Sequence, residues 1–192
     1  MRRSEAAASV SRVQELRTDR LVLDAPREAD IEAVLAACQD PETQRWIPLP
    51  SPYTRENAEY FVRSYCPHGL ASGRYTVWAL REGRTAPLAG VIEVRADEAP
   101  GSASLGCWSV PAARGRGLFR EGLVAVTRHA LDPHGLGFTR LRWEHLLGNA
   151  ASGRLAAAAG FAFDAGTAHT VEFRGERRPA VLGVLSRDGV LG

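Results

Sequence analysis

Apolar and polar residues alternate over residues 20–24 (RLVLD), the pattern of a strand with one buried face, and Pro26 closes it. The period then lengthens. Ile31, Val34, Leu35 and Cys38 fall on one face of a helix over roughly residues 28–38. The proline-rich stretch 39–52 reads as a loop. Thr54 can cap a second helix whose apolar face is Ala58, Phe61, Val62 and Tyr65, with Pro67 and Gly69 ending it. Strand patterns follow at residues 75–80 (YTVWAL), 88–94 (LAGVIEV) and 103–110 (ASLGCWSV). Their connections are too short for helical crossovers, so an antiparallel meander is expected.

After Pro111 the period changes again. Phe119, Leu123, Val126 and Ala130 share a helical face, and the run DPHG at 132–135 stops that helix before a strand at 138–144 (FTRLRWE). Strand, helix and strand in this order predict a parallel crossover. Asn149 fits the N-cap of an alanine-rich helix through Ala159, Gly160 fits a left-handed C-cap, and Phe161 opens another strand. Residues 170–173 and 181–185 read as a closing hairpin with an arginine-rich turn. The expectation is an irregular leader over 1–15 and one α+β domain over 16–192, a mixed, mostly antiparallel sheet of about seven strands flanked by helices.

Composition narrows the chemistry. The 192 residues carry 24 basic against 22 acidic side chains, a net +2 too small to suggest a nucleic-acid partner, and all 24 basic residues are arginine. Without lysine, Schiff-base chemistry and a Walker A loop are excluded. Cys38, Cys66 and Cys107 are odd in number and form no C-x-x-C pair, which fits a reduced cytoplasmic setting. The five histidines lack companions at metal-site spacing, so no metal is expected. No signal-peptide pattern opens the chain and no stretch of about 18 apolar residues follows, so no membrane partner is expected.

The most informative segment is VPAARGRGLFREGL, residues 110–123. A glycine-rich turn between a strand and a helix leaves several backbone N–H groups unpaired, and with the helix dipole these form a site for phosphate oxygens. Gly115 and Gly117 admit close approach and positive φ, while Arg114 and Arg116 add fork-shaped donors. The alternative is a surface turn that is merely rich in glycine and arginine. Neither G-x-x-x-x-G-K-[ST] nor G-x-G-x-x-G is present, since Arg120 stands three residues after Gly117.

With these residues in view, the chain resembles the GNAT superfamily of acyl-CoA N-acyltransferases, most closely its ribosomal-protein N-terminal acetyltransferase (RimJ/RimL-like) branch. The resemblance rests on R/Q-x-x-G-x-G/A beginning at Arg114 with Gly117 as its central glycine, on NAAS at 149–152 followed by AGF at 159–161, on LRTDRLVLDAPREADI at 16–31, and on the order of elements. It implies the GNAT fold, with a sheet splayed between the strands around 106–110 and 141–145. It also implies acetyl-CoA or another acyl-CoA as cosubstrate, the pantetheine arm between those strands, and direct attack of a primary amine on the thioester. Cofactor contacts carried over are Trp108, Ser109, Val110, Arg114, Gly115, Arg116, Gly117, Leu118, Phe119, Asn149 and Ser152, with backbone at Trp108 and Ser109 touching the oxyanion. Two departures stand out. Phe119 replaces the pattern's last small residue and suits a core position, and Ala156 stands where many relatives have a tyrosine that protonates the thiolate.

Glu144 is the first candidate for general base, because it ends the strand that would border the thioester; the competing reading is a solvated glutamate paired with Arg142 or Arg154. His145 competes for the role through its ordinary pKa, and since adjacent strand residues face opposite ways, one of the two sees the substrate. Ser152 can donate to the thioester sulfur or bond local backbone, and Asn149 can cap its helix and touch pantetheine. Cys107 reads as a small buried hydrophobe rather than a nucleophile. Acceptor recognition is expected from residues 39–65 and 173–179, with Trp46, Tyr53 and Tyr60 on that side, and Phe61 and Tyr65 at core spacing. The acceptor is a small-molecule amine or a peptide or protein N terminus, and a homodimer is compatible with exposed strand edges. The alternatives are a succinyl or other acyl transferase of the same fold, a CoA-binding sensor, and RNA binding through arginines 174, 177, 178 and 187.

Overall fold

In a computed structural model, which describes residues 12–163 and 169–189, the predicted strands join into one open sheet. The strands are β1 (Leu16–Arg17), β2 (Val22–Asp24), β3 (Tyr75–Arg81), β4 (Gly90–Ala96), β5 (Ser102–Ser109), β6 (Arg140–Leu146), β7 (Ala162–Phe163), β8 (His169–Phe173) and β9 (Glu176–Ser186). Their order is β1-β2-β3-β4-β5-β6-β9-β7, with β8 also paired to β9. Every ladder is antiparallel except β5–β6. The sheet thus has nine strands where about seven were expected. β1 is two residues long, too short to display an alternation, and β7, expected from Phe161 onward, is equally short.

The helices are α1 (Ile31–Gln39), α2 (Pro41–Trp46), α3 (Arg55–Tyr60), α4 (Cys66–Ser72), α5 (Leu118–Leu131) and α6 (Ala150–Ala158). Two expectations need correction. The stretch 39–52 contains α2: Asp40 accepts from the Thr43 N–H at 3.0 Å and Pro41 occupies the first turn, where its missing N–H costs nothing. The helix from Thr54 also runs past Pro67, because a π-helical turn at Phe61–Tyr65 joins α3 to α4. That turn, with Cys66 N–H donating to Phe61 O, widens the helix just before the proline ring would crowd the preceding carbonyls. Gly69 serves packing rather than termination. A Cβ there would lie 2.1 Å from the Tyr75 ring, so the missing side chain lets α4 lie flat on β3, and Gly73 ends the helix in the left-handed conformation.

Alternation along the strands builds two cores. Leu23, Trp78, Leu80, Ile92, Val94, Leu141 and Trp143 pack against α5 and α6, whereas Val77, Val91 and Trp108 pack against α1, α3 and α4. Arg81 is fully buried between Asp24 and Asp30, tying β3 to β2 and to the start of α1. None of the described helices is long and apolar enough to cross a membrane.

Candidate functional site

The parallel pairing of β5 with β6 runs from Ser102↔Arg140 to Leu105↔Trp143 and stops there. Beyond that point Gly106–Ser109 pairs only with β4, and Glu144–Leu146 only with β9. The sheet therefore opens at the C-terminal ends of these two strands. Ladder phase decides which backbone groups face the opening. Val110 N–H donates to Ala89 O and Asp97 N–H to Ser102 O, so the even residues of β5 exchange bonds with β4, and Cys107 and Ser109 turn theirs towards β6. On the far wall Leu147 N–H donates to Pro179 O, which leaves the backbone of Glu144 facing the gap. Of the expected backbone contacts, Ser109 borders the cleft. Trp108 and Val110 are instead committed to the strand and turn behind it, because a residue in an antiparallel pair spends both polar groups on one neighbour.

Above the cleft, α5 begins directly from the glycine-rich turn. Gly115 and Gly117 take φ of 72° and 76°, a region that L side chains rarely adopt, and Gly117 is the N-cap. Among the described residues, the N–H groups of Gly115 through Arg120 have no acceptor within the chain. They sit at the positive end of a 14-residue helix, a cradle suited to a diphosphate. Leu118 is fully buried and Phe119 packs on the core against Gly90, where a Cβ would come within 2.5 Å of the ring, so these two residues offer only their N–H groups. Arg114 reaches back to Asp40 (2.5 Å), Thr43 (3.1 Å) and Ser109 O (3.5 Å), and holds the Asp40 carboxyl below the usual carboxylate range. Arg116 pairs with Glu82, and Arg20 bonds both Glu121 and Arg116 O.

The candidate acid–base residues separate onto two faces. Glu144 points to the side of α1–α4, exposed, pairing with Arg142 at 2.5 Å and with His169 Nε2 at 3.1 Å. His145 points to the side of α6, edge-on to Phe163 with ring centroids 5.6 Å apart, and its Nε2 lies 3.0 Å from where a Cβ of Gly153 would be. Burial lowers the His145 pKa, and its Nδ1 has no partner. This is the environment of a packed neutral ring. Because protonation is disfavoured only in the folded state, His145 costs nothing above its ordinary value near 6.5 and removes stability as pH falls below it. His145→Gln is therefore expected to flatten the fall in melting temperature between pH 7 and 5 relative to the parent. An unchanged slope would show that the ring titrates freely.

On the same face as His145, Asn149 caps α6 by accepting from Ser152 N–H (3.2 Å). The Ser152 hydroxyl accepts from the indole of buried Trp143 at 3.0 Å, which leaves its own proton free to donate. Cys107 packs against the α5 side of the core, and burial pushes its thiol up to about 12, far from a nucleophile's range.

Several residues at the site escaped the sequence reading. His169 carries no motif and is joined to Glu144 only by the fold. Glu93, on β4, accepts from the Tyr65 hydroxyl at 2.9 Å and pairs with Arg95 at 2.6 Å. Phe61 and Tyr65, which had core spacing, are half-buried and form an aromatic row from Trp108 to Tyr75, brought over the sheet by the π turn. Tyr53 is core, Tyr60 is exposed, and Trp46 bonds Glu42 beside the loop at Gly148. The tip of the β8–β9 hairpin reaches α2 through Arg174, which donates to Gln44 O at 2.8 Å. Of the other arginines on which RNA binding would rest, Arg187 is spent on the carbonyls of Leu131, Gly137 and Phe138, while Arg177 bonds Thr170 and Arg178 lies over Phe173, both exposed.

Known structures share this architecture. A candidate ribosomal-protein-serine acetyltransferase from Vibrio cholerae superposes with TM-score 0.78 at 20% identity, covering 92% of this chain and 99% of its own. RimL, a ribosomal L7/L12 α-N-protein acetyltransferase in complex with coenzyme A, gives 0.77 at 18% identity over 92% and 99%. RimJ of Mycobacterium smegmatis, in complex with CoA-disulfide, gives 0.76 at 16% identity over 93% and 88%. No curated protein matches the sequence. The family model of the acetyltransferase (GNAT) domain matches residues 20–162, which take in the opened strands, the glycine-rich turn and α6, and the chain belongs to that family of acetyltransferases.

Proposed function

We propose that this acetyltransferase moves an acetyl group from acetyl-CoA directly to a primary amine, either a protein N-terminal α-amine or a small-molecule amine. The observation that carries the reading is the opened β5–β6 cleft below the unpaired N–H cradle, with Glu144 on one face and Ser152 on the other. Acetyl-CoA supplies an activated thioester carbonyl; the rest falls to the chain. The cradle at 115–120, with Arg114, holds the diphosphate. Backbone at Ser109 and Cys107 orders the arm in the cleft and polarises the carbonyl. Glu144, reached from the α1–α4 side, takes a proton from the incoming ammonium, and His169 offers an outlet on the same carboxylate oxygen. The C–N bond forms first, giving a tetrahedral oxyanion, and the C–S bond breaks as that intermediate collapses. Of the two protons an ammonium sheds in all, one leaves through Glu144 and the other ends on the departing sulfur, to which the Ser152 hydroxyl donates a hydrogen bond. Ser152 thus takes up part of a task for which Ala156 offers no phenol. The likeness to ribosomal-protein acetyltransferases supports a peptide N terminus as one acceptor.

The test is mass spectrometry of ligands retained by the purified protein, followed by thiol release with acetyl-, propionyl- and succinyl-CoA against amines and peptide N termini. Retained CoA and amine-dependent release fastest with acetyl-CoA are expected. Release fastest with succinyl-CoA would reassign the acyl group, CoA retained without turnover would make the domain a sensor, and absence of CoA binding would overturn the reading. Gly117→Val, placing a β-branched side chain at φ 76°, is expected to abolish retention.

A further inference from the structure

On the acceptor side, beside the point where the sheet opens, two strands carry the same pair of side chains in the same order. β4 presents Glu93 then Arg95, and β6 presents Glu144 then Arg142, each glutamate bonded to its own arginine two residues away. Register sets them in rows across β5. Glu93 lies opposite Gly106; Arg95 lies opposite Ser104, which lies opposite Arg142 in turn. Glu144 follows one step on, where pairing with β5 has ceased. Alternation puts all six on one face.

The floor is low. Gly106 is exposed, a Cβ there would meet nothing within 4 Å, and Ser104 is small. The result is a trough at least about 10 Å wide between flanking backbones, with the glutamate positions nearest the cleft and the arginine positions about 7 Å further along the strands, each guanidinium turned back onto its own glutamate. The arginines are held at that end: Arg95 stacks on Tyr75 (5.2 Å) and bonds the Tyr65 hydroxyl, and Arg142 reaches Asp97 at 3.4 Å. The within-strand ion pairs are partly exposed and contribute little to folding, so a ligand that replaces each partner in kind loses little by separating them.

We propose that this trough selects zwitterionic acceptors, amines that carry a carboxylate within about 7 Å of the nitrogen, with the ammonium between Glu93 and Glu144 and the carboxylate between Arg95 and Arg142. The proposal rests on the amine-transfer reading above and names its substrate class. The matching chemistry occurs in free amino acids and in peptides with an acidic residue second from the N terminus, and the separation of the rows admits both.

The test compares thiol release from acetyl-CoA across matched acceptors: glycine, β-alanine and γ-aminobutyrate against their amides, and the tripeptide amide Ser-Glu-Ala against Ser-Gln-Ala. The expected result is kcat/KM higher by about tenfold or more for the acid of at least one pair, carried by KM, as for a charge-assisted contact. Which pair responds identifies the source. The acid-to-amide ratio should fall towards one in Arg95→Gln and Arg142→Gln and recover partly in Arg95→Lys and Arg142→Lys. Equal kcat/KM for acid and amide, faster turnover of the amides, or a preference that survives both glutamine variants would overturn the trough while leaving the transferase intact. Absence of thiol release with every acceptor would instead overturn the underlying reading, and the trough's assignment with it.

Discussion

Glu144→Gln is expected to lower kcat by about 10²-fold or more with a small change in the KM for acetyl-CoA. Glutamine keeps the shape and can still contact Arg142 and His169, but it cannot accept a proton and places no negative charge beside the ammonium. Arg142 retains Asp97, so no guanidinium is left without a counter-charge and the fold should be undisturbed. The pH dependence separates a base from a spacer. An α-amine has a pKa near 8, so as pH rises through about 8 more of the acceptor arrives already neutral, and the deficit of the variant should narrow. A structural role would give a loss independent of pH. Activity within about threefold of the parent across that range would remove Glu144 from proton transfer. His169→Gln should have a smaller effect of the same sign, since Glu144 faces solvent and water can replace the outlet.

Asp30→Ala is expected to destabilise the domain by about 3–5 kcal/mol, the usual cost of stranding one member of a buried ion pair. Arg81 is wholly inaccessible and has two carboxylate partners, Asp24 at 2.9 Å and the nearly buried Asp30, while its Nε has none. Asp30 also accepts from Arg27 N–H at 2.8 Å, fixing the entry to α1. Asp24 cannot take over the position of Asp30, because it bonds the other terminal nitrogen of the guanidinium and leaves the one facing Asp30 without a partner. For a domain of this size the loss corresponds to a fall of roughly 6–20 °C in melting temperature. The cause is the stranded charge rather than lost attraction, so replacing the whole cluster, Asp24→Asn and Asp30→Leu combined with Arg81→Met, should recover at least half of it. Chemical denaturation can measure both; a single variant within about 1 kcal/mol of the parent would show that water reaches Arg81.

The sequence was most readable where structure is local. The periods of α5 and of β3 to β5 follow from burying one face, and the Asn149 cap and the left-handed Gly160 fulfil backbone needs that only certain residues meet. The glycine-rich turn was visible for the same reason: positive φ at Gly115 and Gly117 is a property of those residues themselves. Errors arose where one local signal concealed another. Prolines masked α2 although Asp40 and Pro41 form a proper start, and Pro67 marked an end that the π turn absorbed.

What the chain determined by itself was most of its elements, the glycine-rich turn at the start of α5 and the placing of Glu144 on a face opposite to His145, since successive side chains of an extended strand alternate. What tertiary structure decided was where the sheet opens and which side chains stand around Glu144. β5 and β6 part after Leu105 and Trp143, β8 brings His169 to Glu144 from 25 residues away, and β4 sets Glu93 level with Gly106. These neighbours come from strand register between distant segments, fixed by burial of two whole cores at once, and no short stretch of sequence carries that information.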